Sequence, residues 1–268
     1  MKRVNIEIMK ELLKKGIEEG VFKDKLYKYR EFGKYTNKII EDSEFYFSSP
    51  LYFNDPFDCN LCFKDRYTKE EIIAKYEKYS LNMGISKDLL IAKYGLESEH
   101  FLKFATKFTQ EVVSQSGILS LSELNDNITM WSHYAKNHEG LAFELDVKED
   151  YDFFKSYGKV EYRDNYNLLS YTDISNDSLA TLFLTKFTDW KYEDEVRIIN
   201  YKTTGAMKFK KSALRTIYFG YKASLENIES MIQLCQINGY EHVEFKKAKL
   251  IPGKFALDFY DINKEEYL

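Results

Sequence analysis

The sequence of 268 residues has only three prolines and three cysteines, and it has no long apolar run. An odd, low number of cysteines argues against a disulfide framework. Charged residues interrupt the apolar stretches well before the roughly 18 residues that a membrane span needs, and the first 20 residues lack the apolar core of a signal peptide. We therefore expect a cytoplasmic protein that has no membrane partner.

The absence of other sequence motifs narrows the range of functions to consider. No glycine-rich phosphate loop and no internal repeat is present. The net charge of -4 gives no argument for general nucleic-acid binding. Cys59 and Cys62 form a Cys-x-x-Cys pair, but no second pair or nearby histidine completes the four ligands of a zinc site. We predict no metal site, and we expect these cysteines to be small apolar residues in a strand.

Aromatic residues are abundant, with 22 Tyr and 20 Phe, and many lie in alternating segments typical of strands. The main predicted strands are 25–32, 45–50, 117–123, 141–147, 191–202 and 213–220. Helical spacing predicts helices at 4–19 and 35–43, and a helix from Asn125 that Gly140 closes. The predicted fold class is α+β, a mainly antiparallel sheet with flanking helices and a helical insertion at about 67–115. We expect an N-terminal helix within 1–24 and a single domain over 25–268.

The strand predicted at 191–202 contains the strongest candidates for catalytic residues. A period of two places Glu193, Glu195 and Arg197 on one face and Val196 and Ile198 on the other. Two carboxylates in a cleft repel each other, and desolvation raises the pKa of one, which suits them to acid–base or electrostatic catalysis. The alternative is a solvated outer face on which Arg197 neutralises a glutamate.

Two further segments offer candidates. On the strand 25–32, Arg30 is a cation at a strand end that can hold phosphate bidentately, or it is a surface residue. In "MWSHYAKNHEG", Trp131 and Tyr134 share a helix face, which favours core packing. His133 and His138 are five residues apart, so they are either catalytic or simply hydrogen-bonded.

The blocks "LYKYRE", "FYFSSPLYFNDPFDC", "ILSLSELNDNITMWSHYAKNHEGLAFELD" and "TKFTDWKYEDEVRII" together resemble the bacterial family called domain of unknown function 2971. The resemblance covers about residues 25–220, and it implies no activity by itself.

The same layout also resembles the ADP-ribosyltransferase fold. The resemblance implies that Arg30 and Ser48 or Ser49 bind NAD, that Glu195 stabilises the oxocarbenium-like transition state, and that Glu193 orients the acceptor. It requires Arg30, the serine and Glu195 to meet in one cleft on one side of the sheet. This chain departs from the pattern in reading Phe-Ser-Ser-Pro on the second strand and in having Arg197 two residues after Glu195.

The resemblance implies an NAD-consuming transferase or glycohydrolase, in the setting of a toxin or of phage defence. A small-molecule nucleotide is then the partner, and Glu195→Gln is expected to lower turnover by about a hundredfold or more with little effect on folding. The residues expected to bind the nucleotide are Tyr29, Arg30, Ser48, Ser49, Asn54, Asp55, Trp131, His133, Tyr134 and His138.

The role of the loop "NDPFD" can be interpreted in two ways. Proline fixes φ and Asn or Asp side chains stabilise turns, so Pro50, Pro56, Asn54 and Asp55 either lock a loop or wall the nucleotide pocket. Two other functions stay open: a non-enzymatic nucleotide-sensing module, and a metal-dependent hydrolase that uses Asp55, Asp58, Glu193 and Glu195.

Overall fold

The computed structural model describes residues 6–60, 66–165 and 176–267. The helices are α1 (Ile6–Glu18), α2 (Lys34–Glu41), α3 (Lys69–Met83), α4 (Lys87–Tyr94), α5 (Ser98–Gln115), α6 (Ile128–Tyr134), α7 (Tyr151–Phe154), α8 (Asn176–Phe183) and α9 (Leu225–Ile237). The strands are β1 (Lys25–Arg30), β2 (Glu44–Phe47), β3 (Gly117–Ser122), β4 (Leu141–Asp146), β5 (Tyr157–Lys159), β6 (Glu161–Arg163), β7 (Thr185–Phe187), β8 (Glu195–Asn200), β9 (Gly205–Lys208), β10 (Leu214–Phe219), β11 (Glu244–Leu250) and β12 (Leu257–Asp261).

Eight of the strands form one twisted sheet in the order β12-β11-β10-β4-β1-β3-β8-β5. Every neighbouring pair is antiparallel except β10 and β11, which run parallel. The predicted α+β class is therefore confirmed, and the sheet is mainly antiparallel. Two short pairs, β2 with β9 and β6 with β7, lie outside it.

The centre of the sheet is buried on both faces. Five consecutive residues of β4, from Leu141 to Leu145, are buried. Their side chains point alternately to the two faces of the sheet. One face carries the main core, to which Phe143, Val196 and the helices α2 and α9 contribute. The other face carries a smaller aromatic cluster around Trp131. The sheet is thus the middle layer of the molecule.

The sheet is split between β1 and β3. These strands share a single register pair, Tyr27 with Ser122, whereas β1 pairs with β4 over its full length. At the other end of β3, Ser48 forms an isolated antiparallel bridge with Ile118. The strands diverge between these two points, so a cleft opens where ladder hydrogen bonds would otherwise close the sheet.

Three helices, α3 to α5, lie between the second and third of the sequence blocks quoted above. Helix α3 begins with a capping box formed by Thr68 and Glu71, which satisfies two free backbone N–H groups. Ile72, Tyr76 and Leu90 form a small core of their own among these helices. None of the described helices is both long and apolar enough to cross a lipid bilayer.

Some sequence-based boundaries were wrong. The strand predicted at 191–202 begins only at Glu195, because Thr188–Glu193 is a 3₁₀ turn and Asp194 has a left-handed backbone (φ 42°). Aspartate tolerates this conformation better than most residues. The turn removes Glu193 from the strand face that it was predicted to share with Glu195. Strands β7 and β9 were not predicted.

Two other elements also differ from the prediction. The helix expected to close at Gly140 ends at Tyr134, because the three residues from Lys136 to His138 all have positive φ. Cys59 lies in a turn with φ 54°, not in a strand, and Cys62 lies outside the described residues.

Gly140 allows a close approach that orients the end of β1. A Cβ at this position would lie 2.2 Å from the carbonyl oxygen of Arg30 and 3.0 Å from the backbone of Ala135. Real Cβ atoms do not approach backbone so closely, so Gly140→Ala must displace β1 or β4. We expect a loss of about 1–3 kcal/mol in the free energy of unfolding, measured by urea denaturation. The exposed neighbour substitution Glu139→Ala is the control, and equal stability of the two variants would contradict this account.

Candidate functional site

The split between β1 and β3 forms a cleft with a volume of about 1070 Å³. Its walls are the unpaired edges of the two strands, the end of α6, the segment after β2 and the start of β8. Small-molecule sites typically enclose about 300–1,000 Å³. The cleft is therefore large enough for a dinucleotide.

One wall of the cleft is cationic. Lys28 and Arg30 alternate with Tyr27 and Tyr29 along β1 and line the cleft. The Nζ atom of Lys28 donates a hydrogen bond across the split to the carbonyl oxygen of Ser120 (2.8 Å). Burial, with the nearby charge of Arg30, lowers the pKa of Lys28 to about 8. Burial also lowers the pKa of Arg30, and the Nε atom of Arg30 is buried without a hydrogen-bond partner in the described residues.

The mouth of the cleft carries exposed tyrosines. Tyr35 on α2, Tyr46 on β2 and Tyr52 in the following 3₁₀ turn are 67%, 66% and 81% exposed, and all three line the cleft. Tyr46 faces outward because its neighbours Phe45 and Phe47 point into the main core. Three exposed aromatic rings at one opening offer flat surfaces on which a base can stack.

The opposite wall rests on five buried charged residues that we call the ion cluster: Asp58, Lys186, Glu193, Glu195 and Arg197. Arg197 donates from Nε and Nη2 to Glu195 (2.8 and 3.0 Å). It also donates from Nη1 and Nη2 to Asp58 (2.9 and 2.5 Å) and from Nη1 to the carbonyl oxygen of Phe183 (2.8 Å). Lys186 bonds to Glu193 (2.5 Å) and to Glu195 (3.1 Å). Each member is at most 8% exposed.

The two glutamates of the ion cluster differ in their electrostatics. Burial opposes ionisation of Glu195, but the charges of Arg197 and Lys186 outweigh it and hold the pKa of Glu195 well below its ordinary value of 4.5. Burial raises the pKa of Glu193, with Lys186 acting in the opposite direction. Glu195 is therefore a fixed anion of the ion cluster, whereas Glu193 is the carboxylate that is easier to protonate.

Helix α6 holds Glu193 at the cleft. The hydroxyl of Tyr134 donates to Oε1 of Glu193 (2.5 Å), and the Asn54 side chain also bonds to Tyr134. One residue earlier, Nδ1 of His133 bonds to the hydroxyl of Tyr192 (2.9 Å). Consecutive residues of the "WSHYA" block thus hold consecutive residues of the "WKYEDE" block.

The structure brings together seven of the residues predicted for the site: Arg30, Ser48, Asn54, His133, Tyr134, Glu193 and Glu195 all line the cleft. Tyr29 also borders it, but its ring packs edge-on against Trp131 (5.1 Å between centroids) and is only 4% exposed. That ring is therefore not free to stack on a ligand.

Four predicted residues have contacts outside the cleft. Ser49 accepts a hydrogen bond from the backbone of Leu51, and Asp55 accepts one from the backbone of Phe57 (2.9 Å). Trp131 is fully buried. The His138 ring packs against Trp131 and its Nε2 atom bonds to Ser132. These contacts stabilise turns and the aromatic cluster.

Arg30 and Glu195 reach the cleft from opposite faces of the sheet. Arg30 pairs with Leu141, whose side chain belongs to the main core. Glu195 pairs with Ser122, which in turn pairs with Tyr27 of the aromatic cluster. Residues paired across antiparallel strands project to the same face, so the condition that Arg30 and Glu195 lie on one side of the sheet is not met. They line one cleft because the sheet is split between them.

The "NDPFD" loop is locked by its own contacts, and it also lines the cleft; that the cleft binds a nucleotide stays a prediction. Asp55 fixes the turn through its bond to Phe57, and the prolines hold the chain that leaves β2. The turn delivers Asp58 to Arg197 as a bidentate partner, and Asn54 to the cleft. The loop is therefore fixed against β8, and it contributes to the cleft wall.

The metal-dependent alternative gains no support from this geometry. Asp58, Glu193 and Glu195 surround the ammonium group of Lys186 at 3.8, 2.5 and 3.1 Å. Lys186 therefore occupies the place where these oxygens would bind a divalent cation. Within the described ranges, no group of three or more His, Cys, Asp or Glu side chains is arranged to hold a metal ion.

Sequence reasoning missed Lys186, Tyr192 and the three tyrosines at the mouth. Lys186 lies in β7, a strand of three residues, which is too short for alternation to be recognised. A signal for Tyr192 was present, since it directly precedes Glu193, but its pairing with His133 depends on the tertiary fold.

Comparison with protein families gives one match. Residues 130–198 match the family model described as Protein of unknown function (DUF2971), which confirms the resemblance over that segment. The segment contains α6, the start of β8 and four of the five members of the ion cluster, whereas "NDPFD" lies outside it. The comparisons with curated proteins and with solved structures found no match.

Glu195→Gln tests the ion cluster. Contrary to the expectation from sequence, this substitution should affect folding, because it leaves Lys186 and Arg197 with fewer buried counter-charges. We expect a loss on the order of 3–5 kcal/mol at pH 7 in urea denaturation. The exposed substitution Glu111→Gln removes a charge without this effect.

The pH dependence gives an independent check. The pKa of Glu195 is lowered in the folded state, so the unfolded chain binds a proton at this position at a pH where the folded protein does not. The stabilisation is complete above about pH 4.5 and is lost as the pH falls further. The stability difference between wild type and Glu195→Gln should therefore shrink below that pH. A difference that stays constant from pH 7 to pH 3.5 would contradict the ion-pair account.

Proposed function

We propose that the protein binds NAD in the cleft between β1 and β3 and cleaves the bond between nicotinamide and ribose, as a glycohydrolase or an ADP-ribosyltransferase. The observation that carries the proposal is that side chains from three distant blocks line one cleft with opposite charges on its two walls. NAD has a matching distribution, an anionic diphosphate and a cationic nicotinamide ring. Complementary charge of this kind orients a ligand.

The cationic wall suits the diphosphate. Arg30 presents a guanidinium group whose Nε atom is buried without a partner among the described residues, and leaving such a group unpaired is costly. A phosphate oxygen supplies the missing acceptor, since guanidinium groups bind phosphate bidentately. Lys28 adds a second positive charge two residues away on the same strand.

The mouth suits the adenine base. Stacking of a base on an aromatic side chain contributes about 1–3 kcal/mol, and the rings of Tyr35, Tyr46 and Tyr52 are exposed there. With the diphosphate at Arg30, a base at the mouth leaves the nicotinamide ribose to extend toward Glu193.

The carboxylate wall suits the transition state. Cleavage of the glycosidic bond builds positive charge on the ribose, and a preorganised anion stabilises this charge more than it stabilises the ground state. With all its members ionised, the ion cluster has three negative and two positive charges. Glu195 is shared between Arg197 and Lys186, so we assign the contact with the ribose to Glu193, which Tyr134 holds at the cleft.

Turnover of NAD tests this assignment. Wild-type protein should release nicotinamide from NAD, and Glu193→Gln should lower the rate by about a hundredfold or more, on the scale of losing one preorganised electrostatic group. Glutamine keeps the shape, and its single amide oxygen keeps an acceptor for Lys186 while its NH2 group faces the Tyr134 hydroxyl, which can accept a hydrogen bond. Nicotinamide release is measured by chromatography, with thermal melting and NAD binding recorded for both proteins. Equal rates would remove Glu193 from the mechanism.

A second candidate is a non-enzymatic module that senses the nucleotide. It is favoured by the pairing of Glu195 with two cations and by the placement of Arg30 and Glu195 on opposite faces. NAD binding without nicotinamide release by wild type would favour this module over the enzyme. The setting of a toxin or of phage defence rests on the resemblance alone and is part of the same proposal.

Binding itself is tested through Arg30. Arg30→Gln should weaken NAD binding by about 10- to 100-fold, as expected for the loss of a hydrogen bond to a charged group, measured by calorimetry. Arg215→Gln is the matched control, because Arg215 is exposed on β10 and does not line the cleft. Equal affinities in the two variants would argue against a phosphate at Arg30 and hence against both candidates.

A further inference from the structure

Lys28 has an environment that differs from that of an ordinary phosphate-binding lysine. Its side chain is half-buried and lines the cleft. The Nζ atom donates to the carbonyl oxygen of Ser120, and no carboxylate of the described residues lies within ion-pair distance of it. The amine is thus held in a fixed place without a counter-ion to keep it protonated.

Two physical effects favour the neutral amine. Desolvation is the larger, and the positive charge of Arg30 adds to it; Glu195 and Glu193 act in the opposite direction from the other wall. At the resulting pKa of about 8 the amine is mostly protonated near pH 7, and its neutral fraction is larger than that of an ordinary lysine and grows as the pH rises. A neutral amine retains an N–H for Ser120, and its lone pair is then available to the cleft. Desolvation beside another cation is a recognised way to make a lysine nucleophilic.

The position of Arg30 indicates which class of molecule would bind beside the amine of Lys28. Positions 28 and 30 lie on the same face of β1, about 7 Å apart at the usual strand rise. An amine nucleophile beside an unpaired guanidinium suits a molecule that carries a carbonyl group and a phosphate group.

We propose that Lys28 forms an imine with an aldehyde whose phosphate group is bound by Arg30. The Nζ lone pair adds to the carbonyl carbon as the carbon–oxygen π bond breaks, and one proton passes from the nitrogen to the oxygen to give a neutral carbinolamine. The carbinolamine then loses its hydroxyl group and the nitrogen proton as one molecule of water, which leaves the carbon–nitrogen double bond. This activity is separate from the cleavage of NAD and does not require it.

Reductive trapping tests the proposal. The protein is incubated with equimolar pyridoxal 5'-phosphate and cyanoborohydride, which reduces the imine to a stable secondary amine, and the labelled peptide is identified by mass spectrometry. We expect the label on Lys28 at least tenfold above that on Lys38, an exposed lysine that lines the same cleft. A second arm uses ADP-ribose, whose open-chain form is a phosphate-bearing aldehyde, to distinguish a nucleotide source from a small phosphorylated aldehyde.

Matched variants make the test specific. Lys28→Arg keeps the charge and a donor for Ser120 but has no nucleophile, so labelling at this position should vanish while melting stays near that of wild type. Arg30→Gln should reduce labelling of Lys28 by pyridoxal 5'-phosphate at least tenfold, to the level reached with pyridoxal, which has no phosphate. Arg215→Gln should leave it unchanged.

Two results would overturn the proposal. One is label distributed over surface lysines without preference for Lys28, and the other is labelling of Lys28 that is insensitive to Arg30→Gln. The readout is a covalent adduct and not nicotinamide, so this proposal and the proposed NAD cleavage can fail independently of each other.

Discussion

A buried guanidinium group must find an acceptor for each of its donors, and Arg197 does so by joining three parts of the chain. Its five N–H groups reach Glu195 on its own strand, Asp58 in the "NDPFD" loop and the carbonyl oxygen at the end of α8. Removing one partner from a buried ion pair costs far more than the pair contributes net. The positions of the loop and of β8, and through Lys186 the position of Glu193, therefore depend on this residue.

The second constraint is the split in the sheet. Strand edges normally pair, and the edges of β1 and β3 instead diverge from the Tyr27–Ser122 pair toward the Ser48–Ile118 bridge. Lys28 spans the gap with its ammonium group and satisfies a carbonyl oxygen of the β3 edge. A cationic wall and an anionic wall thereby face each other across unpaired backbone. This combination is the physical basis for proposing a nucleotide ligand.

Alternation along single strands predicted much of this arrangement. It placed Val196 and Ile198 on one face of β8 with Glu195 and Arg197 on the other, as the structure has them. It failed at Glu193, because one left-handed residue, Asp194, turned a predicted strand into a 3₁₀ turn. Lys186 and the split itself had no local signal, since both depend on contacts between residues far apart in sequence. The ADP-ribosyltransferase resemblance predicted that Arg30, Ser48 and Glu195 line one cleft. The single side of the sheet that it required for Arg30 and Glu195 was wrong.

The central claim is that the divergent edges of β1 and β3 are where a nucleotide binds. Hydrogen–deuterium exchange, with and without saturating NAD, tests this claim on the backbone itself, because an occupied cleft excludes water from the free edges. The account predicts slower exchange in peptides that cover residues 25–32 and 116–123, with little change in β11 and β12 at the far edge of the sheet. Unchanged exchange in the first two segments, or protection confined to other parts of the chain, would contradict it.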